Sequence, residues 1–381
     1  MKKIAIIGAG ISGLFIANLF KKNPYYQITI YEKNTSVALE EGYGVQLSIN
    51  SIKILNEIGF KKLENNEKFN PEKIDFYSNE NSNKICDLDI SDFNSEDCKY
   101  TTLKRSSLIN FLKADLEDLI KTGYNISKIN QQDKQIKLSF ENEEEKECDY
   151  LIISDGVFSK SKSLISKSEI KPKYNNTLAI RGMLTQSPKN IDNKNISLFL
   201  GADFHHVIYP VSPNGNLNFI AIMKYQLSVE EKKNYLLFRY NSFIQKILEK
   251  IPLKNKDFLD NLVELKIFPV FISENFYQFQ NNKIHSIGDA FFAFPPSFAQ
   301  GTSQSIESAY ELFKNIENST ETNFFKNRVV RTKMVNTRSK FNQFAFHLSN
   351  PLIRYFRNIF LKKLVRNKKF LESYLGKIYK N

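Results

Sequence analysis

The stretch that most narrows what this chain can become is Ile4 to Lys33, IAIIGAGISGLFIANLFKKNPYYQITIYEK. Ile4, Ala5, Ile6 and Ile7 form a short run without a polar residue, suited to a strand buried on both faces. Gly8, Gly10 and Gly13 then stand at G-x-G-x-x-G spacing. Gly8 allows a tight turn, Gly10 removes a side chain that would keep a pyrophosphate off the backbone, and Gly13 lets the next helix approach the strand. The N–H groups that open such a helix face the phosphates. A second strand, Gln27 to Tyr31, ends at Glu32, where an acid can accept both ribose hydroxyls of an adenosine. Strand, glycine turn, helix, strand and acid together predict a dinucleotide site and leave FAD and NAD both open.

A chain of 381 residues holds two or three domains, and 41% hydrophobic with 13% aromatic residues excludes a disordered protein. Cys86, Cys98 and Cys148 lie far apart, with no C-x-x-C and no histidines at zinc spacing, so neither disulfides nor a metal site are expected and the compartment is reducing, the cytoplasm. Lys2 and Lys3 before an apolar run mimic a secretory signal, but glycines interrupt the run and no A-x-A site follows. No stretch reaches the length of apolar sequence that a spanning helix needs. The net charge of +13 is localised: residues 321–381 carry 15 Lys and Arg against Glu321 and Glu372, and the rest of the chain is neutral. A basic tail on a neutral body suits an anionic partner, membrane or nucleic acid, or is a solvated face.

Beyond Glu32, GYGVQLSINSIKILNEIGF from Gly42 to Phe60 reads as an extended piece and then an amphipathic helix with Ile52, Leu55 and Ile58 inward. Ile74 to Ile90 reads as strands around a polar turn at 79–83. Thr102 to Leu119 has helical spacing, with Leu108, Phe111, Leu112 and Leu116 on one face. Arg105 sits near its start, where the dipole does not favour a cation, which points to a ligand as much as to the surface. Strand-like Ile136 to Phe140 precedes Tyr150 to Ile153, which leads into Asp155-Gly156, a turn at the carboxyl end of a buried strand. Residues 174–270 are strand-rich, with one helical stretch near Val229 to Ile251, and predict an antiparallel sheet covering the nucleotide. From Lys283 a strand leads to Gly288 and Asp289, a Pro295-Pro296 loop follows, and Gln300-Gly301 opens a helix through Ile306, Ala309 and Leu312. Its bare N–H groups favour negative charge at whatever lies above them.

In this order, GAGISG at 8–13, GYGVQLSIN at 42–50, KRSSL at 104–108, SDGVFSKSK at 154–162, YP with Asn218 beyond it, and GDA…PP…QG at 288–301 resemble the single-component FAD-dependent aromatic hydroxylases. That group is para-hydroxybenzoate hydroxylase-like and includes salicylate-hydroxylase-like and ubiquinone-pathway enzymes. The resemblance implies an α/β fold: a Rossmann-type FAD-binding domain (1–70, 100–170 and 280–320), an inserted antiparallel-sheet substrate domain (71–99 and 171–279) and a basic helical C-terminal extension (321–381). It implies that Ser12, Gly13, Glu32, Lys33, Val45, Arg105 and Asp289 contact FAD, with Asp155 near the pyrophosphate. Three departures stand out: GDAFF for the family's GDAAH, Lys162 for its second arginine after the DG turn, and Ser308 for the acid of its last helix. Phe291 and Phe292 are expected to reshape the flavin's surroundings.

Chemistry in this group belongs to the cofactor, so no catalytic acid or base is assigned. NADH or NADPH reduces the flavin as a transient donor, dioxygen adds to give a C4a-hydroperoxyflavin, and one oxygen passes to an electron-rich ring. The expected substrate is a small aromatic or lipid-linked phenolic compound. His205, His206 and Tyr209 are sheet residues that either line the pocket and polarise a phenol or are structural, and Pro295 and Pro296 either face the flavin or shape a turn. A reductase or dehydrogenase of the same fold, acting for example on polyprenyl groups, and a peripheral membrane protein with a structural FAD remain as alternatives. A flavin halogenase is excluded, since its W-x-W-x-I-P signature needs Trp and the chain has none. Within Pro351 to Val365, Leu352, Phe356, Phe360 and Leu364 recur at i+4, with Ile353 and Ile359 beside them and Arg354, Arg357, Lys362 and Lys363 flanking. Such a helix either lies on the anionic inner face of a membrane or packs on the body. Nucleic acid is not expected.

Overall fold

The computed structural model describes residues 1–37, 43–131, 135–188, 191–253, 259 and 261–380. Gly42, which opens the GYGVQLSIN segment, lies outside them. Five parallel strands form one sheet in the order Ile284–Ser286, Tyr150–Ile153, Lys2–Ile7, Tyr26–Glu32, Ile120–Thr122. Ile7 is level with Tyr31 on one side and Ile153 on the other, and Ile153 with Ser286. The carboxyl ends of the strands therefore deliver Gly8, Glu32, Ser154 and Gly288 to one edge. Both faces are buried, as a run without polar residues requires. Ile4, Ile6 and Ile152 pack with the first helix, Ile11–Lys21, and with the central helix, Gly301–Glu317. Ala5, Ile7, Leu151 and Ile153 pack on Ile136, Leu138 and Phe140 of a small three-stranded sheet.

A second, seven-stranded sheet has the order Leu262–Ile272, Lys173–Leu184, Leu217–Lys224, Phe204–Pro210, Ile196–Leu200, Lys73–Ser78, Lys84–Asp89. It is antiparallel, as expected, except at one pairing, where Ile196–Leu200 runs parallel to Lys73–Ser78. One face packs on the helical stretch after 228; the other turns toward the first sheet. That helical stretch is three pieces rather than one, Val229–Lys233, Tyr235–Arg239 and Asn241–Glu249. The reason is local capping: Ser228 and Glu231 form a reciprocal capping box, and Asn234 then accepts the Leu236 N–H and restarts the chain. The helix expected from Thr102 begins instead at Arg105 and ends at Lys113. Thr101–Lys104 is taken by strand pairing with Gly44–Leu47, which suits β-branched Thr101 and Thr102.

The C-terminal region is helical, led by the long helix Glu321–Phe346 and the helix Pro351–Leu364. A buried ion cluster fastens the long helix to the central one. Glu307 accepts from Arg328 at 3.2 Å and from Arg331 at 3.0 and 2.7 Å, and Arg331 also donates to the carbonyls of Lys377 and Ile378. In Pro351–Leu364 the i+4 stripe forms, but Leu352, Phe356 and Phe360 are 65%, 58% and 65% exposed. The side that meets the body is built by Leu361 and, just past the helix, Val365. Arg354 and Arg357, which flank the stripe, belong to this inner side: Arg354 pairs with Glu80 at 2.6 Å, and Arg357 donates to the Ala345 carbonyl at 3.3 Å. Among the described residues no helix is long and apolar enough to cross a membrane.

Candidate active site

A cavity of about 810 Å³ lies between the carboxyl edge of the parallel sheet and the inner face of the seven-stranded sheet. One end is lined by Gly10, Ser12, Arg105, Gly156, Asp289 and Gly301, the other by aliphatic residues such as Leu198, Val207, Ile220 and Ile222. Its size and mixed lining suit a cofactor together with an apolar ligand.

The glycine turn has the expected division of labour. Gly8 sits at φ 102°, where a Cβ would also meet the Ser154 carbonyl oxygen at 2.6 Å. At Gly13 a Cβ would lie 2.2 Å from the Gly8 carbonyl oxygen. At Gly10 it would meet nothing within 4 Å, because that face opens into the cavity, so a side chain there would occupy the space a pyrophosphate needs. The Ser154 hydroxyl donates to the Ile7 and Gly8 carbonyls, both at 2.9 Å, and holds the turn to the neighbouring strand. Glu32 is buried; its two oxygens accept the Ala9 and Asn34 N–H groups, each at 3.0 Å. Neither Glu32 nor exposed Lys33 belongs to the cavity wall, though each carboxylate oxygen keeps lone-pair capacity for a ribose hydroxyl.

Val45 and Arg105 line the wall, and the Arg105 N–H donates to the Tyr43 carbonyl at 2.6 Å. The Asp155 carboxylate instead accepts the Ser161 N–H at 3.0 Å and organises the turn behind the wall, which Ser154 and Gly156 reach. Asp289 opens to the cavity and is enclosed by protein elsewhere. Burial raises its carboxyl to about 6, against the opposing pull of Arg181 and Lys162. Lys162 is itself buried, which lowers its ammonium, while Asp155 and Asp289 counteract. The Ser308 hydroxyl accepts the Gly288 N–H at 2.9 Å.

Gln300 is buried and donates to the Ser48 hydroxyl at 3.0 Å, while Gly301 starts the central helix on the cavity wall. Pro295 and Pro296 line the cavity too. Their loop is held from behind, by the Ser339 hydroxyl donating to the Pro295 carbonyl at 2.9 Å and by Asn342 donating to that of Ser297 at 3.1 Å.

Two expectations need correction. His206 faces away from the cavity and stacks on Phe199 with ring centroids 4.3 Å apart, and burial lowers its imidazole to about 3. The alternation of the strand puts His205, Val207 and Tyr209 on the cavity side instead. His205 is bonded to His347, ring nitrogen to ring nitrogen, at 2.7 Å, and both are neutral because burial depresses their pKa. Phe291 and Phe292 do not line the cavity; they pack among Phe276, Phe324 and Phe325 in the core. Of the two readings left open for the C-terminal extension, packing on the body holds at least in part, since Phe344, Arg357, Phe360 and Leu361 form part of the wall.

Arg181 went unnoticed in the sequence. It lines the cavity, lies 5.3 Å from the Tyr43 ring, and pulls on Asp289. The available signal was a guanidinium in the middle of the otherwise apolar LAIRGML strand.

Residues 1–321 match the family described as FAD binding domain. Salicylate hydroxylase of Pseudomonas putida is 22% identical over 351 residues, covering 81% of this chain and 76% of that protein. 6-Hydroxynicotinate 3-monooxygenase of Bordetella bronchiseptica is 21% identical over 335 residues, covering 83% and 82%. 3-Amino-4-hydroxybenzoate 2-monooxygenase of Streptomyces cremeus is 23% identical over 227 residues, so this chain spans only 56% of its length. In fold the chain is similar to Klebsiella pneumoniae HpxO complexed with FAD and uric acid, at TM-score 0.80 and 13% identity over 95% of this chain and 93% of that one. With a cradle open at Gly10, a helix start at Gly301 and a family match over most of its length, the chain belongs to the FAD binding domain family, FAD is its cofactor, and its relatives by sequence are monooxygenases of aromatic rings.

Proposed function

We propose that the protein is an FAD-dependent monooxygenase that uses NADH or NADPH and dioxygen to hydroxylate an aromatic ring. The observation that carries this reading is the single cavity shared by the glycine cradle, the start of the central helix and the apolar face of the seven-stranded sheet. Bound FAD would accept a hydride from the nicotinamide and, with dioxygen, supply one electrophilic oxygen atom to the ring.

The chain's own residues hold, orient and exclude water. In this reading the Gly10 backbone and Ser12 meet the pyrophosphate, Glu32 the adenosine ribose, Arg105 and Asp289 the connecting chain, and the N–H groups at Gly301 and Thr302 the edge of the flavin that gains negative charge on reduction. The ring lies toward Val207, Tyr209 and Ile220. With Nδ1–H of His205 donated to His347, the other ring nitrogen of His205 would accept a hydrogen bond from a phenolic hydroxyl and so orient the ring and make it more electron-rich.

The test is oxygen uptake by the FAD-loaded protein with NADH or NADPH across a panel of phenols, with mass spectrometry after labelled dioxygen. One labelled oxygen atom is expected in the product, and peroxide without a ring substrate. Turnover without oxygen on an organic electron acceptor, with no labelled product, would replace this reading with a dehydrogenase.

A further inference from the structure

The outward face of Pro351–Leu364 is apolar, and none of the described residues covers it. Leu352, Ile353, Tyr355, Phe356, Ile359 and Phe360 fall within one broad arc of the helix and are all exposed. Arg354, Arg357 and Leu361 lie on the opposite side and hold the helix to the body. Exposed rings and aliphatic groups concentrated like this mark an interaction surface. The surface continues onto Phe341 and Phe344 of the long helix, which are 54% and 67% exposed and, with Phe360, also line the cavity. The same residues thus edge the patch and form the cavity's mouth.

Charge selects the partner. Between 351 and 371 there are seven basic residues and no acidic one. Two of them, Arg354 and Arg357, are used internally, while Lys362, Lys363, Arg366, Lys368 and Lys369 are exposed at the end of the patch. Apolar groups able to enter an acyl boundary, beside ammonium and guanidinium groups at headgroup level, complement an anionic bilayer surface. A second copy of this chain would bring two such basic clusters together.

We propose that this face docks on an anionic phospholipid bilayer, and that the cavity takes from it, through the mouth at Phe341, Phe344 and Phe360, an apolar ring compound dissolved in the lipid. The docking stands independently of the enzymatic reading; the choice of substrate class rests on it.

Flotation of the full-length, FAD-loaded protein decides the docking. At low salt it should float with vesicles containing phosphatidylglycerol roughly tenfold more than with pure phosphatidylcholine vesicles, and detach at about 0.5 M salt. The double variant Leu352→Glu/Phe356→Glu and the double variant Lys362→Glu/Lys363→Glu should each lose flotation while keeping the flavin spectrum. Both pairs lie outside the cavity wall. Equal indifference to the two vesicle types overturns the docking. So does a wild-type dimer by light scattering that Leu352→Glu/Phe356→Glu converts to monomer with flotation unchanged.

Substrate class is read separately, by the flavin absorbance change on adding 4-dodecylphenol. Presented in phosphatidylglycerol vesicles, the phenol should act on wild type at a concentration at least about tenfold lower than on Leu352→Glu/Phe356→Glu. Presented in detergent micelles, it should act on both alike. No absorbance change in either form overturns the substrate class and leaves the flotation result standing.

Discussion

Both oxygens of Glu32 are engaged by backbone N–H groups of the glycine turn and the following loop, so this carboxylate organises the nucleotide site as well as offering itself to a ribose. Glu32→Ala should weaken FAD binding by about 1 to 3 kcal/mol, measured by fluorescence titration of the apoprotein. Gly13→Ala has no such graded outcome: with a Cβ 2.2 Å from a backbone oxygen, the first helix must move off the strand, and the variant should fail to retain flavin on purification. Burial raises the Asp289 carboxyl to about 6, with Arg181 pulling the other way. Removing that pull in Arg181→Met should move the pH dependence of FAD affinity to higher pH, and an unchanged profile would separate Asp289 from the binding equilibrium. Little of this could be read from motifs. Glycine spacing shows where a backbone must turn, but which carboxylate is enclosed and which cation faces it depends on residues far apart in the chain.

Among the elements, the central helix and the long helix are joined through Glu307, Arg328 and Arg331, all nearly out of reach of solvent. Burial opposes the Glu307 charge, yet Arg331 and Arg328 hold its carboxyl below the ordinary range. Loosening the cluster with Arg331→Ala should cost about 1.5 to 3 kcal/mol in urea unfolding, because Glu307 keeps Arg328 but loses two charge-assisted hydrogen bonds. The Gly301 helix was legible from its glycine start and its apolar spacing. Its fastening was not, since Arg328 and Arg331 in the sequence are only two members of a basic tail. The break in the Val229–Ile251 stretch follows the same logic at shorter range: Ser228 and Asn234 compete for the backbone as caps, and hydrophobic periodicity does not register a cap.

For the molecule as a whole, His205, His206 and His285 are buried and His347 is half-buried, and loss of solvation holds all four neutral, with His206 lowered to about 3 and both His285 and His347 to about 4. The unfolded chain binds these protons near pH 6.5 and the folded one does not, so stability is full above that pH and falls on acidification between about pH 6.5 and 4. The slope is about 1.4 kcal/mol per pH unit for each histidine that titrates only on unfolding. Thermal melts across this range should show the loss, and a His206→Gln variant should reduce its slope. What the sequence by itself determined was the nucleotide unit and the family, because a strand, glycine turn and helix are local in the chain and their order along it is specific. Only the tertiary structure decided which face of each later element meets the cavity: His205 rather than His206, the start of the central helix rather than Phe291 and Phe292, and the C-terminal helices as wall rather than tail. The physical reason is that a strand or helix pattern defines two sides, while the side that is buried against a given neighbour is chosen by packing between segments hundreds of residues apart.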